Sequence, residues 1–159
     1  MSAQASLDRY DAAILDILQR DNRTPQRVIA EAVNLSAPAV QRRIRRMEEA
    51  GIITANVAVV DPEKAGVPLT IMIAVQVNSE RPVHVAAFRQ RLMQEPAVQQ
   101  CYEVTGETDY FLIVSVESMK DYEALTDRLF GDDDNIRHFR TSVVLKRFKA
   151  GLAVPLSPG

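Results

Sequence analysis

Residues 34–51 read NLSAPAVQRRIRRMEEAG, a segment in which four arginines are threaded through an apolar stripe. Ser36 is an N-cap residue type whose hydroxyl accepts from free backbone N–H groups, and Pro38 fits a first helical turn, where no intrahelical donor is needed. At about 100° per residue, Val40, Ile44 and Met47 share one face, Arg42, Arg45 and Arg46 point away from it, and Arg43 sits at its edge. The outward surface is cationic and long-armed, which suits phosphates and guanine edges. A charge run on a helix is also commonly just a solvated face, and Arg45 with Glu49 is an ordinary i,i+4 pair.

The residues on either side separate these two readings. Residues 8–20 place Ile14, Ile17 and Leu18 on one side of a first helix. Thr24 and Pro25 then read as N-cap and first helical position of a second, with Val28, Ile29, Ala32 and Val33 as its apolar positions. Asn34 tolerates the positive φ of a tight turn, and Leu35 plugs the gap between the second and third helices. This spacing is that of a helix-turn-helix head over residues 1–53, with the third helix presented to a major groove. Gly51 stops that helix as a C′ glycine would, and IITANVAVV at residues 52–60 has the alternation of a strand. Residues 54–68, which contain Asp61-Pro62 and a polar Gly/Pro-bearing run, read as a connecting strand and hinge.

A chain of 159 residues with 47% hydrophobic content suits one or two small globular domains. Its net charge of −2 hides an asymmetry, because residues 1–54 carry +1 and the remainder −3. Basic character is therefore local to one element, unlike a protein that sheathes nucleic acid along its whole surface. The single cysteine, Cys101, excludes an internal disulfide, and no apolar run approaches the length of a membrane span, so a reducing cytoplasm is the expected compartment.

Residues 69–159 carry a second pattern: a strand at 69–77, a helix at 82–94 with Val85, Phe88 and Leu92 inward, a strand at 98–105, and a turn at 106–109. A strand at 110–116 follows, then a helix entered through Ser118 and Asp121 with Tyr122, Leu125 and Leu129 apolar, and a last strand at 136–148. This βαββαβ order is the ferredoxin-like arrangement, an antiparallel sheet with two helices on one face. The other face, unclad by the chain's own helices, implies a two-fold homodimer. The predicted fold class is α+β throughout.

Four stretches carry a resemblance: LDRYDAAILDILQRDNRT from residue 7, NLSAPAVQRRIRRMEEAGII from residue 34, CYEVTGETDYFLIV from residue 101 and TSVVLKRFK from residue 141. Together they resemble the Lrp/AsnC family of feast/famine transcriptional regulators over nearly the whole chain. The resemblance implies a winged helix-turn-helix head, an amino-acid-sensing second domain, and assembly into dimers and often octamers. It also implies that the Gly-x-x-Asp loop lines an effector site between dimers, implicating Thr105, Gly106, Thr108, Asp109 and Tyr110, with Thr141 contributed from another subunit. Asn34 stands where the family commonly has glycine.

Chemistry points the same way for that loop. Gly-x-x-Asp is common in plain turns, yet a glycine loop with Asp109 can offer a carboxylate to an ammonium and backbone N–H groups to a carboxylate. The expected partners are thus double-stranded DNA and a small effector of amino-acid type, with no cofactor, metal or membrane. In the head, Gln41, Arg42 and Arg46 are expected to read base edges. Ser36, Ala37, Pro38, Arg43 and Arg45 lie along phosphates, and a dimer's half-sites fall roughly 34 Å apart. His84 and His138 share no metal-ligand spacing with each other or with Cys101, and Glu103, Glu107 and Asp109 have no nucleophile or oxyanion loop beside them. An enzyme is not expected, although one branch of the resemblance decarboxylates a tetrapyrrole. A broad DNA-organising protein is the other alternative.

Overall fold

The computed structural model describes residues 7–79 and 82–156, the side chains of residues 82 and 83 excepted. The chain divides into two compact units, Met1–Ala58 with Lys149–Gly159, and Val59–Phe148.

The first unit holds α1 (Arg9–Leu18), α2 (Gln26–Val33) and α3 (Ala37–Glu49). Asp8 opens α1 with a reciprocal capping box: its carboxylate accepts from the Tyr10 and Asp11 N–H groups, while the Asp11 side chain accepts from the Asp8 N–H. Pro25 caps α2 and is not its first helical residue, so the expected Thr24 cap is displaced by one position; the Thr24 hydroxyl donates instead to the Asp21 carbonyl. Asn34 takes the left-handed conformation at φ 55°, as its place in the turn requires. Ser36 caps α3, accepting from the Ala39 N–H at 3.3 Å. At the other end Gly51, φ 69°, closes a Schellman motif in which Ile52 N donates to Met47 O at 2.9 Å. Ile14, Leu15, Ile29, Ala30, Val33, Val40 and Met47 form the buried core, with Leu35 packed against it. Val28 and Ala32, expected to face this core, are exposed; Ala30 takes their place. Ser36→Ala is expected to cost the head about 1 kcal/mol, read as a lowered thermal midpoint, because one first-turn N–H loses its acceptor.

Two expectations need correcting here. Residues 52 and 53 bend and residues 54–61 form no regular element, pairing with no strand among the described residues, and Val59 is 86% exposed. The alternating sequence of this stretch suits a ladder, but alternation alone supplies no partner strand. Residues 149–156, grouped above with the second domain, pack in this structure with the head. The Gln19 side chain bonds the Val154 backbone in both directions, donating at 3.1 Å and accepting at 2.7 Å, and Leu156 packs on the head core. Gln19→Ala is expected to speed hydrogen exchange at the Val154 amide about fivefold, the size of a lost bond worth ~1 kcal/mol.

The second unit contains β1 (Leu69–Val77), α4 (Pro82–Gln94), β2 (Val98–Glu103), β3 (Tyr110–Val116), α5 (Met119–Thr126) and β4 (Ile136–Val143), with a π-helical turn at Asp127–Gly131 extending α5. All pairings are antiparallel in the order β2-β3-β1-β4, the ferredoxin-like topology. Strand alternation sends Ile71, Ile73, Val75, Leu112 and Val114 to the helix-covered face. There they meet Phe88, Leu92, Leu125 and Phe130, and burying each such side chain contributes about 1.5–3 kcal/mol. Met72, Tyr102 and Phe111 stand on the opposite, open face and are exposed. Strand β4 ends at Val143, short of the expected residue 148. Its partner β1 begins at Leu69, and the Val144 N–H makes one last bond to Thr70 O before the chain runs out of edge.

Candidate DNA interface and effector loop

The surface of α3 is shaped by what its arginines hold. Gln41 and Arg42 are exposed, and among the described residues neither has an ion-pair or hydrogen-bond partner. Arg45 bonds Glu49 at 2.8 Å with both side chains largely in water, a pairing worth little. Arg43 differs from its expected role. Its guanidinium donates to Asp8 Oδ2 and to Asp11 Oδ1, both at 2.8 Å, and lies 5.4 Å above the Tyr10 ring. Only 24% of its side chain is exposed, so Arg43 fastens α3 to α1 and is not laid out for phosphate. Its position at the edge of the apolar stripe is the physical reason, because that edge faces α1. Arg46 also departs from a purely outward reading: it donates to Asp11 Oδ2 at 2.5 Å while remaining 54% exposed.

Asp11 and Tyr10 went unassigned in the sequence reading. The signal was present, since Asp11 lies one turn before Ile14 and Leu15 on the inward side of α1, where an acid must find a cation. The Asp8 carboxyl is held below the usual carboxylate range, first by the Asp11 backbone N–H and then, against some desolvation, by Arg43. The same two carboxylates raise the Arg43 pKa. The stabilisation carried by Asp8 is therefore present above the ordinary carboxylate pKa and is lost as pH falls through the depressed one.

The loop at residues 104–109 closes the β2–β3 hairpin. Val104 N donates to Asp109 O at 2.9 Å and Asp109 N to Val75 O at 3.0 Å, and Gly106 at φ 116° supplies the bend. Asp109 Oδ2 accepts from the Val77 N–H at 2.7 Å, which ties the loop to β1 and orients the carboxylate. Among the described residues its Oδ1 has no partner, and the N–H groups of Gly106, Glu107 and Thr108 donate to no group. Thr105 and Gly106 are exposed and Thr108 half-buried.

Two of the expected effector residues stand apart from this loop surface. Tyr110 is 3% exposed and packs edge-on against Phe88 at 5.3 Å between ring centroids; alternation from Asp109 turns it into the core. Thr141 lies opposite Ile73 on the helix-covered side, and its hydroxyl is engaged by the Tyr122 hydroxyl at 2.5 Å. Burial raises the Tyr110 and Tyr122 phenols above their usual range. Cys101 is half-buried against the sheet core, which raises its thiol and makes it a poor nucleophile. Among the described residues no group of acids, histidines and cysteine is placed to hold a metal, and no helix is long and apolar enough to cross a membrane.

A trihelical head with an exposed arginine helix, followed by a ferredoxin-like module with a charged glycine loop, defines a DNA-binding protein of the helix-turn-helix class with an appended sensing domain. Residues 7–54 match the winged helix-turn-helix DNA-binding family, and residues 70–154 match the Lrp/AsnC ligand binding domain. An uncharacterized HTH-type transcriptional regulator of Sinorhizobium fredii is 39% identical over 94% of this chain and 89% of its own. The DNA-binding transcriptional activator DecR of Escherichia coli is 29% identical over 94% of this chain and 99% of its own. In three dimensions the chain is similar to an AsnC family transcriptional regulator from Agrobacterium tumefaciens, with a TM-score of 0.87, 30% identity, and 94% and 97% of the two chains covered. A transcriptional regulator from Neisseria meningitidis, solved as its complex with L-methionine, gives a TM-score of 0.87 at 28% identity over 94% and 97% of the two chains. The chain belongs to the Lrp/AsnC family of transcriptional regulators.

Proposed function

We propose that this regulator reads double-stranded DNA with Gln41 and Arg42 of α3, and that an amino acid bound at the 105–109 loop adjusts that grip. The observation that carries the DNA reading is the contrast along one helix: Arg42 is exposed and, among the described residues, unpaired, whereas Arg43 is withdrawn into the head. Ser36, Ala37 and Pro38 at the start of α3 lie along the phosphate backbone, joined by Arg45, whose exposed bond to Glu49 is cheap to exchange. Arg46 reaches the duplex by leaving Asp11.

At the loop, the free Asp109 oxygen takes an ammonium, and the free N–H groups of residues 106–108 take a carboxylate. This is the complement of an α-amino acid, the class to which the L-methionine of the Neisseria meningitidis complex belongs. Thr105, Gly106, Thr108 and Asp109 form this surface, and Thr141 enters only from another subunit. The exposed Met72, Tyr102 and Phe111 favour a homodimer through the open sheet face, from which higher oligomers are built. Effector binding shifts DNA affinity to the extent that it binds one assembly better than another. Binding to promoter fragments and to random duplex at stated salt, each with and without the common amino acids, tests both halves. A salt-sensitive preference that an amino acid changes supports the reading; equal binding to every duplex overturns it.

A further inference from the structure

The buried carboxylate beneath the reading helix does more than pack two helices. We propose that Asp11, from α1, is a positioning residue that sets how many of the arginines on α3 the duplex can recruit, and so sharpens sequence preference. This rests on the reading of α3 as the DNA-facing helix.

Asp11 is 0% exposed and spends both oxygens on α3: Oδ1 accepts from Arg43 at 2.8 Å and Oδ2 from Arg46 at 2.5 Å, with the Asp8 N–H also on Oδ2 at 3.2 Å. The two arginines are not held equally. Arg43 is shared with Asp8 Oδ2 and roofs the Tyr10 ring, so leaving would forfeit both carboxylate bonds and the ring contact at once and leave the buried Asp11 Oδ1 without its partner. Arg46 has one bond and is half in water; if it swings to a phosphate, Asp11 still has Arg43 and the Asp8 N–H. The four arginines of α3 thus fall into a graded series. Arg42 is free, Arg45 and Arg46 are exchangeable, and Arg43 is withheld.

The grading has a consequence for selectivity. Each guanidinium free to take a phosphate strengthens binding to every sequence alike, whereas a base-edge contact strengthens one. Two acids at the root of the helix, Asp8 and Asp11, neutralise two of its cations and lower the indiscriminate part of the affinity. The contact made by Arg42 then counts for a larger share. A hydrophobic residue at position 11 could fill the space between α1 and α3 but could not impose this restraint.

The test is Asp11→Asn in the full-length protein, with binding measured to a preferred and a random duplex over a salt series. On the random duplex, for which Arg46 of the original protein stays on Asp11, release of Arg46 is expected to steepen the slope of log affinity against log salt by about 0.9 per protomer. Random-duplex affinity should rise roughly tenfold at low salt, with the preference ratio falling in step. Adding Arg46→Ala to Asp11→Asn should return the slope to its original value. A folded Asp11→Asn protein with unchanged slope and ratio overturns the proposal.

Guanidinium nitrogen NMR on the unsubstituted protein gives a second reading that does not depend on the variant folding. On adding the preferred duplex, the Arg46 signals should change and those of Arg43 should stay restrained. Arg43 moving, or Arg46 staying fixed, overturns the grading. Unchanged preference in the original protein beside an unaltered variant slope removes the role of Asp11 alone. Failure of the original protein to prefer any duplex removes the DNA reading and this role with it.

Discussion

Replacing Arg42 by alanine is expected to weaken binding to the preferred duplex about 5- to 150-fold, the equivalent of ~1–3 kcal/mol for one base-edge contact, and to relax preference at a single base position. The side chain has no structural duty: it lies opposite the buried Val40 and Met47 and has no protein partner among the described residues. The melting temperature should therefore hold while affinity falls, which separates lost recognition from lost folding. Arg45→Ala supplies the contrast, because a phosphate contact should weaken all duplexes alike and flatten the salt slope by nearly one. Fluorescence anisotropy on duplexes permuted one base at a time measures both. Preference that survives Arg42→Ala intact would assign the reading to another residue.

The second large effect lies in the sensing unit. Asp109→Ala should reduce effector affinity about 10- to 150-fold, since a charge-assisted hydrogen bond to an ammonium is worth ~1.5–3 kcal/mol. By linkage it should abolish the response of DNA binding to effector while leaving effector-free binding in place. This carboxylate has two occupations, because its other oxygen accepts from the Val77 N–H at 2.7 Å. Asp109→Asn resolves them: the amide oxygen still serves Val77, but the charge that attracts an ammonium is gone. Calorimetry with L-methionine and the other common amino acids should show both variants binding about 10- to 150-fold more weakly, and only the alanine variant losing stability. Binding by Asp109→Asn at the original affinity would place the ammonium elsewhere.

Much of the fold was legible because its signals are local. Ser36 and Gly51 bracket α3 with a hydroxyl acceptor and a positive φ, and both chemistries are visible without tertiary context. Strand β3 and helix α4 could be bounded because their apolar periods, two and about 3.6, end at turn residues. The irregular stretch at residues 54–60 shows where periodicity misleads. Alternation describes a segment able to join a ladder, and joining also needs a partner strand in register, which periodicity does not reveal.

Side-chain assignments were less legible. Arg42, Arg43 and Arg46 are the same residue type on neighbouring rows of one helix. What distinguishes them is a buried carboxylate more than thirty residues earlier, whose neighbourhood exists only once α1 crosses α3. Tyr110 follows the loop in sequence, yet strand alternation sends its ring into the core. The same holds for residues 149–156, whose return to the head depends on Gln19 and on the space left for Leu156.

Read alone, the order of residues established two modules, the helix starts at Ser36 and Ser118 and the stop at Gly51, and the chemistry of an arginine helix and a glycine-acid loop, because each of these depends on neighbours within one turn or one hairpin. Three-dimensional packing alone chose which arginines reach solvent, which oxygen of Asp109 stays free, and to which unit the C-terminal residues belong, because ion pairing and burial are fixed by groups distant in sequence.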